Sequence, residues 1–169
     1  MYVQGLTAYR FVDNHDVTRL ASSLSNKNHI IPAYGILFGM PGIPCIYYGS
    51  EWGIEGKKED GDDALRPEID VLQFNEISEF ISKVARIHRE SKALSYGSLN
   101  ILHLTNRQLV FERVCDEERI IILINADENE YTAFFDAKAD CGTELITETP
   151  FDFHAGSRMP GYSVQYVKC

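Results

Sequence analysis

The chain has 169 residues, 44% of them hydrophobic and 24% charged, a size and balance at which a chain buries a real core. Lys and Arg total 16 against 25 Asp and Glu, for a net charge of −9. That argues against nucleic acid and anionic membrane surfaces as main partners, because phosphate contacts need clustered cations; it fits a neutral partner such as a sugar without selecting one.

The start, MYVQGLTAYRF, has no basic segment followed by an apolar one, so it reads as the middle of a protein and not as a signal peptide. Residues 6–13 (LTAYRFVD) predict a buried strand that opens into a polar loop at Asn14. Residues 28–39 predict a helix capped by Asn28, with Pro32 tolerable near its first turn. MPGIP is a turn cluster, and PCIYYG (44–49) is a short apolar strand in which Cys45 reads as a small core residue. Strand, helix, strand in that order implies a parallel sheet.

Residues 50–74 are polar, acidic and Gly-containing, a long loop of the kind that carries function. Asn75 is placed to cap a helix running to about residue 91, with Ile77, Phe80, Ile81, Val84 and Ile87 on one stripe. After residue 97 the pattern changes to short strands only, at 98–104, 107–114, 118–125, 130–135, 143–148 and 162–168, the signature of a small antiparallel sandwich. The fold class is therefore α/β followed by all-β, in two domains, 1–96 and 97–169. Two parallel strands and two helices cannot cover each other's faces, so the first part reads as the last strands and helices of a (β/α)8 barrel. No run of about 18 apolar residues predicts a membrane span. Cys45, Cys115, Cys141 and Cys169 have no CxxC spacing, so no zinc site is expected.

Two stretches carry chemistry. FVDNHDVTRL (11–20) sets Asp13, Asn14, His15 and Asp16 at the end of an apolar strand, then Arg19. Taken alone, this is either a polar turn, which Asn and Asp favour, or the rim of a site. GMPGIPCIYYGSEWGIEG places Tyr47, Tyr48, Glu51 and Trp52 just past the second strand. Aromatic faces beside carboxylates suit a sugar. Tyr47 and Tyr48 can equally alternate between barrel core and helix layer, with Glu51 holding a loop. Asp60, Asp62 and Asp63 lack the spacing of an EF-hand and read as a solvated charge run.

FVDNHD resembles the FxxNHD motif at the seventh barrel strand of the alpha-amylase family of glycoside hydrolases, and GIPCIYYGSEWG is similar to that family's GxPxxYYGxExG motif at the eighth. The two stand in order, about one helix apart, and a β-domain follows the barrel in that family. With GDDALRP (61–67), the chain looks most like the neopullulanase, cyclomaltodextrinase and intracellular amylase branch. The resemblance implies that Asp16 is the family's third carboxylate, stabilising the positive charge of the transition state. It implies that His15 binds hydroxyls of the same sugar and that Asn14 supports the turn. Arg66 would contact sugar or a loop carboxylate, and Tyr47, Tyr48 and Glu51 would be structural or rim residues.

Retaining glycoside hydrolysis needs two carboxyl groups roughly 5 Å apart. By the resemblance both come from earlier strands, so the isolated chain is expected to be inactive. The expected partner is an α-1,4-glucan: starch, maltodextrin, cyclodextrin or pullulan. No cofactor or metal is expected here, although the parent could hold calcium. The rival reading is a non-catalytic glucan-binding or structural module. Bare strand edges further predict self-association. Location is expected to be cytoplasmic before extracellular.

Overall fold

The computed structural model describes residues 8–72 and 74–169. The expected strand over residues 6–13 is observed only as β1, Tyr9–Arg10, and its first two positions lie outside the described residues. It pairs in parallel with β2, Ile43–Pro44, in the register Tyr9↔Ile43 and Arg10↔Pro44. The parallel pair follows from the strand–helix–strand order. It is short because, among the described residues, each strand has only the other as a ladder partner, and Pro44 has no N–H to extend the ladder. Cys45 is exposed, not a core residue. Tyr9, Phe11 and Ile43 are also exposed, because nothing among the described residues covers this pair.

Between the strands lie a short α1, Leu20–Ser23, a 3-10 turn over Lys27–His29, and α2, Ile30–Gly39. The cap falls two residues earlier than expected: Asn26 accepts from the Asn28 N–H, and the 3-10 turn leads into α2. The segment after β2 is not a plain loop. It holds two 3-10 turns and α3, Asp62–Leu65. Asn75 caps α4, Glu76–Glu90, in a capping box with Ser78. The expected stripe faces inward, with Ile81 and Val84 buried. A separate short helix follows, α5, Lys92–Tyr96, whose Leu94 N–H is capped by Ser91.

The rest is antiparallel. β3 (Ser98–Leu104), β4 (Gln108–Cys115), β5 (Glu118–Asn125), β6 (Tyr131–Ala133), β7 (Cys141–Glu144), β8 (Thr149–Asp152), β9 (Ser157–Met159) and β10 (Val164–Lys168) follow in order. Six form one sheet in the order β3-β4-β5-β10-β7-β8, and β6 pairs with β9. β8 and β9 were not anticipated. TPFD contains Pro and SRM spans only three residues, so neither carries an alternating pattern.

The central strand, β5, reads ERIIILIN and is buried on both faces. Successive side chains of a strand point to opposite sides. Ile120, Ile122 and Ile124 pack with Tyr34, Leu37 and Phe38 of α2 and Val84 of α4. Ile121 and Leu123 pack with Ala133 and Met159 of the small pair. One layer of the β-domain is therefore the helical part of the chain.

That contact is close. A Cβ on Gly39 would lie 2.6 Å from the Phe111 ring, so only glycine lets α2 approach here. Tyr166 Oη donates to Gly35 O at 2.7 Å, and buried Arg113 donates to Gly39 O and Gly97 O, each at 2.9 Å. His88 donates through Nδ1 to Phe38 O at 2.9 Å, tying α4 to α2.

Glu118 secures the junction of α5 and β5. Burial raises its carboxyl, but Lys168 Nζ at 2.8 Å, the Ala93 N–H at 3.0 Å and Ser91 Oγ at 2.7 Å outweigh that and hold it at about 2, against an ordinary 4.5. A depressed folded-state pKa contributes stability that is full above the unfolded value and is lost as pH falls toward the folded one. Glu118→Gln is therefore expected to lower the urea midpoint at neutral pH and to flatten the loss of stability between about pH 5 and pH 2. Urea titrations across that window would count against this if the two proteins lost stability in parallel.

Candidate functional site

The site grows from the two strand ends. Past β1, Asp13 turns inward and is 2% exposed. It accepts from Ser50 Oγ at 2.8 and 2.9 Å and from the Leu20 N–H at 2.8 Å. The second bond closes the loop 14–19 on the start of α1, and the first ties it to the segment after β2. Asn14 Oδ1 accepts from the Asp16 N–H at 2.8 Å, a side-chain-closed turn that aims Asp16 outward.

His15 Nε2 lies 3.2 Å from Asp16 Oδ2, and Arg66 Nη2 lies 3.7 Å from Asp16 Oδ1. Arg66 also pairs with Asp62, at 3.0 Å. All are solvent-exposed pairs that water and salt screen, so they add little to stability. Asp16 is thus an exposed carboxylate on a side-chain-closed turn, flanked by His15 and Arg66.

Past β2, Gly49 has φ 86°, and a Cβ there would meet Ile54 at 2.6 Å, so glycine alone makes this turn. Tyr47 and Tyr48 pack edge to face, with ring centres 4.8 Å apart, and Tyr47 stands 6.1 Å from the His15 ring. Tyr48 Oη donates to Pro67 O at 3.1 Å, pinning the segment that carries Arg66. Glu51 faces inward. One of its oxygens is buried with no hydrogen-bond partner among the described residues. Tyr34 Oη donates to Ser50 O at 3.2 Å, and burial, with the Asp13 charge beside it, pushes that phenol up.

Beneath both strand ends lies Arg19, fully buried. Its Nη1 donates to Tyr48 O at 2.8 Å and Ser50 Oγ at 3.0 Å, and its Nη2 to Leu65 O at 2.7 Å. The guanidinium carbon sits 4.1 Å from the Tyr47 ring centre. Asp13, Arg19 and Ser50 had no assigned role in the sequence reading. The signal available was two charges at either end of a polar stretch, Asn14–Thr18, which nothing in a single sequence marks as buried.

Among the described residues no three His, Cys, Asp or Glu side chains gather as a metal site. In the acidic run Asp62 is paired with Lys58 and Arg66.

The family model for the alpha-amylase catalytic domain matches residues 2–97. The chain belongs to the alpha-amylase family. A cyclomaltodextrin glucanotransferase from Bacillus sp. (strain 38-2) is 27% identical over 149 residues, covering 88% of this chain and 20% of that protein. Among solved structures, alpha-amylase from Geobacillus thermoleovorans, complexed with acarbose, superposes with a TM-score of 0.85 at 21% identity, over 96% of this chain and 38% of the other. Maltogenic amylase from S. marinus does so at 0.74 and 26% identity, over 94% and 22%. This chain therefore spans about a fifth of the length of its curated relatives. In alpha-amylase terms, β1 and β2 with their helices are the last part of the barrel and the antiparallel sheet is the C-terminal β-domain.

Proposed function

We propose that this chain supplies the substrate-stabilising side of a retaining glycosidase acting on α-1,4-glucans. The division of labour is a barrel portion over 1–96 and a β-domain over 97–169. The observation that carries the reading is Asp16, held by the Asn14 turn next to His15 at the end of β1, on a loop anchored beneath by Asp13. A fixed anion beside the scissile sugar favours an oxocarbenium-like transition state over the neutral ground state. His15, with ring nitrogens that donate or accept, meets the hydroxyls of the same sugar. Arg66, 3.7 Å from Asp16 and paired with Asp62, stands beside the same sugar. Tyr47 and Tyr48 form the wall.

The nucleophile and the acid/base come from the part of the barrel that precedes β1, and that part also covers exposed Tyr9, Phe11 and Ile43. Alone, the chain has an uncovered strand pair and self-associates through it. The preferred glucan and the balance of hydrolysis against transfer depend on walls this chain does not contribute.

The purified chain, incubated with maltoheptaose and followed by chromatography, is expected to release no shorter oligosaccharide. Release at a rate above buffer would place a working carboxyl pair within these residues and overturn the assignment.

A further inference from the structure

Arg19 is fully buried, yet no carboxylate among the described residues lies within ion-pair distance of it. Its charge reaches Asp13 only through Ser50, whose hydroxyl accepts from Arg19 Nη1 and donates to Asp13. Burying a cation this way is costly, and an apolar side chain of similar size would hold a core at least as well. The guanidinium does what an apolar side chain cannot. Its fork joins Tyr48 O, Ser50 Oγ and Leu65 O, on the segments after β2 and in α3, to a residue in the loop after β1. Its flat face lies 4.1 Å from the centre of the Tyr47 ring. Tyr47 in turn stands 6.1 Å from the His15 ring, and His15 is 3.2 Å from Asp16.

We propose that Arg19 is a positioning residue: through Tyr47 and the Ser50–Asp13 relay it sets the orientation of His15 and Asp16. The functional importance of that orientation rests on the glucan reading above; the orientation itself does not. Lysine cannot replace this arginine, because a point charge on a flexible stem neither forks nor stacks. Arg19 therefore acts at the rim without touching the ligand.

The test uses the full 169-residue chain with labelled His and Tyr rings, followed by NMR, in the variants Arg19→Lys and Ser50→Ala. His29, His88, His103 and His154 report on the remaining fold, since each is bonded well away from the rim. In Arg19→Lys the His15 and Tyr47 signals are expected to move toward their unstructured positions and the cross-peak between the two rings to be lost, while the four reference histidines hold. Ser50→Ala is expected to move His15 in the same direction by a smaller amount. The proposal is overturned if His15 and Tyr47 stay in place in a variant that keeps the four references. It is equally overturned if all five histidines collapse together in both variants, since Arg19 would then serve folding alone. These signals report side-chain arrangement whatever the site binds, so a failure of the glucan reading would leave them unchanged.

Discussion

Replacing Tyr166 with alanine is expected to destabilise the chain by about 3–5 kcal/mol. The side chain is fully buried at the seam between α2 and the sheet, beside Phe111, and its hydroxyl donates to Gly35 O. Truncation removes a large apolar contact, opens a cavity that the Gly39–Phe111 approach prevents from collapsing, and deletes the hydrogen bond. Tyr166→Phe isolates the last part and is expected to cost about 1 kcal/mol. Urea unfolding followed by far-UV circular dichroism measures both. The fluorescence of Trp52, the chain's single tryptophan, should report the same midpoint, because helices and sheet share one core. A Tyr166→Ala loss below about 1 kcal/mol, or a tryptophan transition separate from that of the sheet, would mean that the two parts fold independently.

The share of this fold that sequence reasoning reached is set by periodicity. β3 and β5 were placed at their observed limits, and α4 within a residue, because seven or more residues with a regular pattern leave little choice. β1 and β2 were expected to be longer than they are, since a strand's length depends on its neighbours as well as on its own apolar run. Cys45 shows the same effect: an apolar context predicted burial, but nothing among the described residues covers it. The double burial of β5 was also out of reach, because an unbroken run of Ile and Leu over 120–124 does not say what covers each face. At the site, Asp16, His15, Asn14 and the tyrosine pair stand out in the sequence as polar or aromatic residues clustered at strand ends. Their supports do not. Asp13 and Arg19 look like the solvated charges around them, and only the pairing of two segments 37 residues apart through Ser50 shows that they are buried.

Asp16→Asn is the second change with a large expected effect, made in the whole enzyme that carries this segment. Asparagine keeps the shape of Asp16, and Asn14 and Asp13 still hold the loop, so the fold and ground-state binding should survive. On the proposed reading the change removes a negative charge held where positive charge develops, and loss of such a group costs about 10²–10³ in turnover. Because that interaction exists mainly in the transition state, kcat and kcat/KM should fall together. The measurement is the initial rate on maltoheptaose, wild type against Asp16→Asn, with the anomeric form of the first product read by NMR. The expected result is retention of the α-configuration in the wild type and a fall of about 10²–10³ in kcat in the variant; a β-configured first product, or a kcat within about threefold of wild type, would overturn the role proposed for Asp16.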